Sequence, residues 1–305
     1  MSGRASELAT TLTASDVCKS ILKLKHEKSD GLRGTFSDHF IYSSMSFKNN
    51  ITLLVNAMFI HGYTPADLLE SVITSIPKDV RGDLCNKDNY RGIALCSALC
   101  KLIDIIIIDK YGNVLFTNDL QFAFKPKHST NMCTSVVKEV CSYYQSRGSD
   151  VYICTLDASK AFDRVHFGKL FDLLRARKLP AMVTRLLLDM YTRQSMCTVW
   201  NSKTSNLFGT KNGVKQGGIL SPILFCVYID ELLKRINDSG IGCHIGHLSY
   251  AGVGYADDVD ILAPSIQSLQ ELLHICEDFG VEYNVLFNPK KTSCIQISTN
   301  RPLPR

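Results

Sequence analysis

The stretch GYADDVDIL, Gly254 to Leu262, sets two aspartates side by side inside an otherwise apolar run. Adjacent carboxylates repel, and a chain that packs this stretch must desolvate both of them. A divalent cation is one remedy, because it inverts the local charge balance. A solvated polar turn at a hairpin tip is the other, and the segment alone does not choose between them. The rest of the chain has to supply the partner.

The second half of the sequence is the more regular. In DVYICTLDASKAF, a β-rich run from Val151 to Leu156 ends at Asp157. A helix follows, with Phe167, Leu170, Phe171 and Leu174 on one face at i, i+3, i+4, i+7 spacing. Another begins at Pro180 and aligns Val183, Leu186, Leu187 and Met190. In GVKQGGILSPILFCVYIDELLKRI, Ser221 and Pro222 are start signals, and Phe225, Tyr228, Ile229 and Leu232 form an apolar stripe. After the Asp257–Asp258 hairpin, SLQELLHICEDFG reads as a helix with a Ser268–Glu271 capping box and a stop at Gly280. The β-rich EYNVLFNPKKTSCIQIS closes the pattern. Such an order predicts an α+β fold, with helices backing an antiparallel sheet. Ile105 to Ile108 fit a strand by propensity and a helix by spacing, so pattern leaves that run open.

Three aspartates, Asp157, Asp257 and Asp258, are thus expected at the ends of neighbouring antiparallel strands. Gathered and ionised, they need a cation, and Mg²⁺ suits hard oxygen ligands that share it with substrate phosphates. Two such ions would support phosphoryl transfer. At this point four stretches in order resemble the reverse transcriptases of non-LTR (LINE-type) retrotransposons. TLDASKAFDRV is similar to their motif A, GVKQGGILSPILFCVYIDEL to motif B, YADD to motif C and FNPKKT to motif D. Upstream, HGYTPADLLESVITSIPK and KDNYRGIALCSALCKLID resemble the fingers motifs, and LQFAFKPKHST the segment after them. The resemblance spans about residues 50–300.

It implies a right-hand polymerase core, fingers plus palm, acting as an RNA-directed DNA polymerase on an RNA template, a DNA primer and dNTPs. With it, the isoleucine run resolves as helix. Residues 1–15, rich in Ser, Thr and Ala, read as a disordered tail; the resemblance assigns 16–150 to the fingers with an N-terminal extension, and 151–305 to the palm. Asp157 and Asp257 resemble the pair that binds two Mg²⁺ ions (Mn²⁺ being an alternative), and Asp258 the carboxylate that supports them. Phe162 resembles the aromatic gate that would clash with a 2′-hydroxyl; core packing is its plainer reading. Gln216 resembles the motif B glutamine near the nascent base pair, with Gly217 and Gly218 permitting close backbone approach. Lys78 and Arg91 resemble residues that grip the triphosphate. Lys291 resembles the lysine that protonates pyrophosphate, with Lys290 a competitor. Asp163 is expected to cap the helix after it.

Two positions depart from the family pattern. Gly92 stands in NYRGIAL where proline is usual, which would loosen the loop that positions Arg91. Asp260 stands where an apolar residue is usual, on the strand face of Asp258, where it would raise its neighbour's pKa or cost stability. The chain stops just after motif D, so a thumb is expected to be missing, and nothing in the first fifty residues resembles an endonuclease. A decayed or repurposed domain that binds nucleic acid without polymerising is the rival reading.

Composition adds limits. Hydrophobic residues make up 45% and charged residues 21%, enough for a large core, and the net charge of +5 permits a polyanion partner without requiring one. The start, MSGRASELATTLT, has no apolar leader segment, so the expectation is an intracellular protein whose twelve cysteines are reduced. Cys243, His244 and His247 lack a fourth zinc ligand at suitable spacing. No run is long enough to span a membrane.

Overall fold

The computed structural model describes residues 11–31 and 34–299. Counting helices of eight residues or more, the first half runs α1 (Ala14–Ile21), α2 (Met45–His61), β1 (Glu70–Pro77), β2 (Tyr90–Leu95), α3 (Ala98–Tyr111) and α4 (Thr130–Gln145). Then come β3 (Val151–Asp157), α5 (Phe167–Ala176), α6 (Ala181–Thr192), β4 (Ser195–Trp200), and the short β5 (Lys203–Thr204) and β6 (Phe208–Gly209). The chain continues with α7 (Ser221–Asp238), β7 (His244–Ile245), β8 (Leu248–Ser249), β9 (Gly252–Tyr255), β10 (Asp258–Ala263), α8 (Ile266–Tyr283) and β11 (Ser293–Ile297).

These elements form two compact units, each made from two separate stretches: residues 1–115 with 174–221, and 116–173 with 222–305. The division expected at residue 150 is corrected on both sides. Residues 116–150 belong with the second unit because α4 packs on its sheet, and 195–200 belong with the first because β4 pairs with β1. The tail expected over residues 1–15 is corrected at its last residues. Leu12 is buried, and the Thr13 hydroxyl accepts the Asp16 amide in a capping box that starts α1. Residues 1–10 lie outside the described part.

In the first unit the sheet runs β2-β1-β4-β5, with β6 also on β4. The β1–β2 pair is antiparallel and the β1–β4 pair parallel, so this sheet is mixed. Sequence pattern missed β4, whose SMCTVW is short and follows a long helix. Leu102, Ile103, Ile106 and Ile107 of α3 are all fully buried, which explains why that helix shows no clean amphipathic stripe. Its start is fixed by Ser97, whose hydroxyl accepts the Cys100 amide at 3.1 Å.

The second unit holds the antiparallel sheet β11-β3-β10-β9. One face packs Val151, Ile153, Val253 and Leu262 against Cys133, Val140 and Cys141 of α4. The other is backed by α8, and by α7 where β9 approaches it. A Cβ on Gly252 would lie 2.8 Å from Ile236 Cγ2, and one on Gly254 2.9 Å from Leu233 Cδ1. Three helix ends differ from expectation. Helix α8 is capped by Ser265, whose Oγ accepts the Ser268 amide, and it continues to Asn284, which takes the left-handed terminal conformation. Gly280 sits inside α8, where a Cβ would come within 2.8 Å of the Val285 carbonyl. Asp163 lies within the short helix Ala161–Arg164, and the next helix begins only at Phe167. There His166 accepts the Lys169 amide instead.

Candidate active site

The β3–β10 register sets Asp157 directly opposite Asp258, so both side chains leave the same face of the sheet. The next row on that face pairs Thr155 with Asp260, and the row after it Ile153 with Leu262. Polarity therefore grades along one face, from carboxylates at the strand ends to an apolar floor under α4. Tyr255 and Asp258 close the β9–β10 hairpin, leaving Ala256 and Asp257 as its turn. Ala256 has φ 57°, a left-handed backbone that costs an alanine on the order of 1 kcal/mol.

The electrostatics are those of crowded anions. Partial burial, then the charges of Asp257, Asp157 and Asp260, holds the Asp258 carboxyl above the usual carboxylate range, while Lys291 opposes the shift. Asp260 is also raised, chiefly by burial, although Thr155 Oγ1 donates to it at 2.6 Å. The expectation that Asp260 would load its neighbour thus holds. One cation answers from the chain itself: Lys291 Nζ lies 2.9 Å from Asp157 Oδ1, and that contact raises the lysine's pKa. Lys291 reaches this place because residues 286–288 run beside the end of β3. Ser159 donates to the Leu286 carbonyl and Asn288 to that of Asp157. Among the described residues no three carboxylate, histidine or cysteine groups converge to hold an ion as they stand. The donor chemistry nevertheless fits a hard divalent cation, since the charges of three carboxylates meet at Lys291.

Phe162 belongs to the same unit. Its ring stacks on the buried Phe225, centroids 4.9 Å apart and planes 15° from parallel. Gate and core packing are therefore compatible, because a deeper ring fixes the outer one.

Lys78, Arg91, Gln216 and Gly217 all lie in the first unit. Arg91 pairs with Ile76, and the Lys78 amide extends the ladder to the Asn89 carbonyl, so Lys78 and Arg91 share one face of the β1–β2 hairpin. Lys78 Nζ donates to the Asp88 carbonyl at 2.7 Å. Gly92 lies within β2 opposite Ser75, not in a loop, and a Cβ there would sit 2.9 Å from Ile73 Cγ2. The loosening expected at Gly92 is thus corrected: close packing asks for glycine in this strand.

The Gln216 carbonyl accepts the Ala94 amide at 2.6 Å. Gly217 has φ +122°, and a Cβ there would collide with the Ala94 carbonyl oxygen at 2.5 Å, so only glycine passes. Asp104 of α3 holds the same loop from below, its Oδ2 accepting the amides of Ile219 at 3.0 Å and Leu220 at 3.2 Å. Burial raises its pKa to about 6, against the pull of those amides and of Lys215. Beside Gly217 a cavity of about 590 Å³ is lined by Lys25, Lys28 and Lys101, by Lys23 paired with Asp109, and by Ala98, Ile105 and Ile219. Sequence reasoning singled out neither Asp104 nor Phe225. An acidic residue in an apolar helix was the available signal for Asp104, and Phe225 read only as core.

Residues 76–300 match the reverse transcriptase (RNA-dependent DNA polymerase) family. The chain belongs to that family, and within it stands with the non-LTR retrotransposon sequences, as its motifs indicated. It is 27% identical over 226 residues to the Retrovirus-related Pol polyprotein from type-2 retrotransposable element R2DM of Drosophila melanogaster, covering 74% of this chain and 21% of that protein. Against the Probable RNA-directed DNA polymerase from transposon X-element of the same fly, identity is 28% over 269 residues, covering 83% and 28%. The chain thus spans about a fifth to a third of its curated relatives. The fold is shared with apo telomerase from Candida tropicalis truncated from its C-terminal domain: TM-score 0.56 at 14% identity, covering 88% of this chain and 58% of that one. Among the described residues no helix is long and apolar enough to cross a membrane.

Proposed function

We propose that this chain carries the polymerising chemistry of a non-LTR retrotransposon, joining a dNTP to a primer 3′-hydroxyl on an RNA template. The observation that carries the reading is the row Asp157–Asp258 with Asp257 at the adjoining turn. Asp157, Asp257 and Asp258 would hold Mg²⁺ or Mn²⁺. Two such ions, when bound, would activate the hydroxyl and neutralise the leaving pyrophosphate.

The other roles belong to side chains. Lys291 is assigned the proton for the leaving group, although its contact with Asp157 raises its pKa and makes it a weaker donor while it lasts. That contact must open for the transfer. Phe162, backed by Phe225, presents a rigid ring to the sugar and would exclude a 2′-hydroxyl. Lys78 and Arg91 are assigned to the triphosphate, Gln216 and Gly217 to the nascent base pair. Lys25, Lys28 and Lys101 in the cavity beside Gly217 suit a phosphate backbone, since such contacts supply much of nucleic-acid affinity.

Primer extension on poly(rA)/oligo(dT) with Mg²⁺ tests the reading. Asp157→Asn or Asp257→Asn should abolish extension and leave the fold intact, with relief of repulsion tending to raise thermal stability in the absence of metal. Extension by either variant within about tenfold of the unaltered chain would sink the assignment.

A further inference from the structure

The carboxylate turn rests on a side chain of the LQFAFKPKHST stretch to which the proposed chemistry gives no part. Gln121 lies between α3 and α4 and is fully buried. Its Oε1 accepts the amide of Ala256 at 3.0 Å and that of Ala123 at 3.1 Å, and its Nε2 lies 3.4 Å from the Ala256 carbonyl. One primary amide thus meets both polar groups of the residue in left-handed backbone. The main chain around it is equally committed. Gly254 donates to the Leu120 carbonyl at 2.8 Å, and Phe122 donates to the Gly254 carbonyl at 2.9 Å. The segment therefore adds a parallel bridge to β9, which would otherwise be the open edge of the sheet.

Room for the amide comes from a glycine, since a Cβ on Gly254 would lie 3.0 Å from Gln121 Nε2. The segment is itself anchored. Asp230 Oδ1 accepts the Asn118 amide at 2.7 Å, and Lys125 Nζ donates to the carbonyls of Thr117 and Asn118. A rigid chain of bonds thus runs from α7 through residues 117–125 to the turn. Its last member is neutral where the turn is most negative. A carboxylate could accept the Ala256 amide but could not donate to its carbonyl, and it would add charge beside Asp257 and Asp258.

We infer that Gln121 is a positioning residue for the carboxylate turn. It acts through Ala256, fixing the backbone that aims Asp257 and Asp258, and touches neither substrate nor ion. The inference rests on the proposed polymerase reading for its consequence in catalysis, but not for the brace itself.

Two measurements separate these. The first is hydrogen exchange along residues 252–260. In the unaltered protein the Ala256 amide, although in a turn, should exchange as slowly as the strand amides of β10; rapid exchange there overturns the proposal with no variant needed. Gln121→Met keeps bulk and removes the bonds. It should speed exchange about tenfold at residues 254–258 while leaving β3 and α4 unchanged. A uniform rise over the whole sheet would make Gln121 merely structural and defeat the proposal. The second measurement is extension. Gln121→Met should lower kcat about tenfold to a hundredfold with KM for dNTP nearly unchanged. Adding Ala256→Gly should recover part of that loss, because glycine takes the left-handed backbone without a brace. An unaltered chain that fails to extend primers at all would remove the polymerase reading, while the exchange data would still decide the brace.

Discussion

The turn at Ala256–Asp257 and the loop at Gln216–Leu220 both carry proposed site residues, and each is held from beneath by one side chain. Under the acidic turn the brace is a neutral amide, Gln121. Under the glycine loop it is a carboxylate, Asp104. The charge above explains the choice below. Asp258 already feels Asp257, Asp157 and Asp260, so a further anion there would raise it again. The loop around Gly217 carries no acidic side chain and has Lys215 near Asp104, so an anion can serve as acceptor there. The comparison teaches that a brace is chosen for the field it adds as well as for the bonds it makes. It also divides the two regions by their response to pH.

The sharpest way to break the comparison is to put charge where it is absent. Gln121→Glu should reduce extension at pH 7 about tenfold further than the uncharged Gln121→Met does, and the extra loss should shrink as pH falls. Equal losses at all pH values would show that bonds alone matter. Next in size is the removal of the other brace. Asp104→Ala leaves two amides without their acceptor and should cost roughly 2 kcal/mol in a denaturant titration. Asp104→Asn keeps an acceptor oxygen and removes the charge. The folded pKa of Asp104, about 6, lies above its ordinary value, so the folded chain binds the extra proton between about pH 4 and 6. Its stability therefore falls as pH rises through that window. The asparagine variant should lack this slope and be more stable at pH 7, by at most about 3 kcal/mol. Smallest is Asp260→Asn. It removes one of the neighbours that raise Asp258, and should move the acid limb of the extension profile to lower pH, the smallest of these effects.

Much of this architecture could be read from residue order, for reasons that differ by region. The hairpin, the run into Asp157 and the stripes of α5, α6 and α7 are local patterns, and the structure has them. The isoleucine run of α3 is buried on several sides, so periodicity could not separate helix from strand, and the family resemblance had to decide. The end of α8 was misjudged because Gly280 answers to the Val285 carbonyl rather than to a helix stop. Lys291 was separable from Lys290 only in three dimensions, where residues 286–288 pass β3. Gln121 stands in the LQFAFKPKHST stretch, but its bracing role could not be read there for a similar reason: its partner Ala256 is far along the chain and shows no sign of strain in the sequence.

The pairing of β1 with β4 has a consequence for the order in which the chain can be made. Pro77 ends one strand and Ser195 begins the other, so β1 waits through roughly 120 residues of synthesis, about 6 to 24 s at ordinary ribosomal speed. Strand β3 likewise waits for β10 and then β11. During these intervals each nascent sheet exposes an edge able to capture a strand from a neighbouring chain. A chaperone that shields Val72 to Thr74 and Ile153 to Thr155 while the later strands emerge would therefore raise the yield of folded protein more than one acting after release.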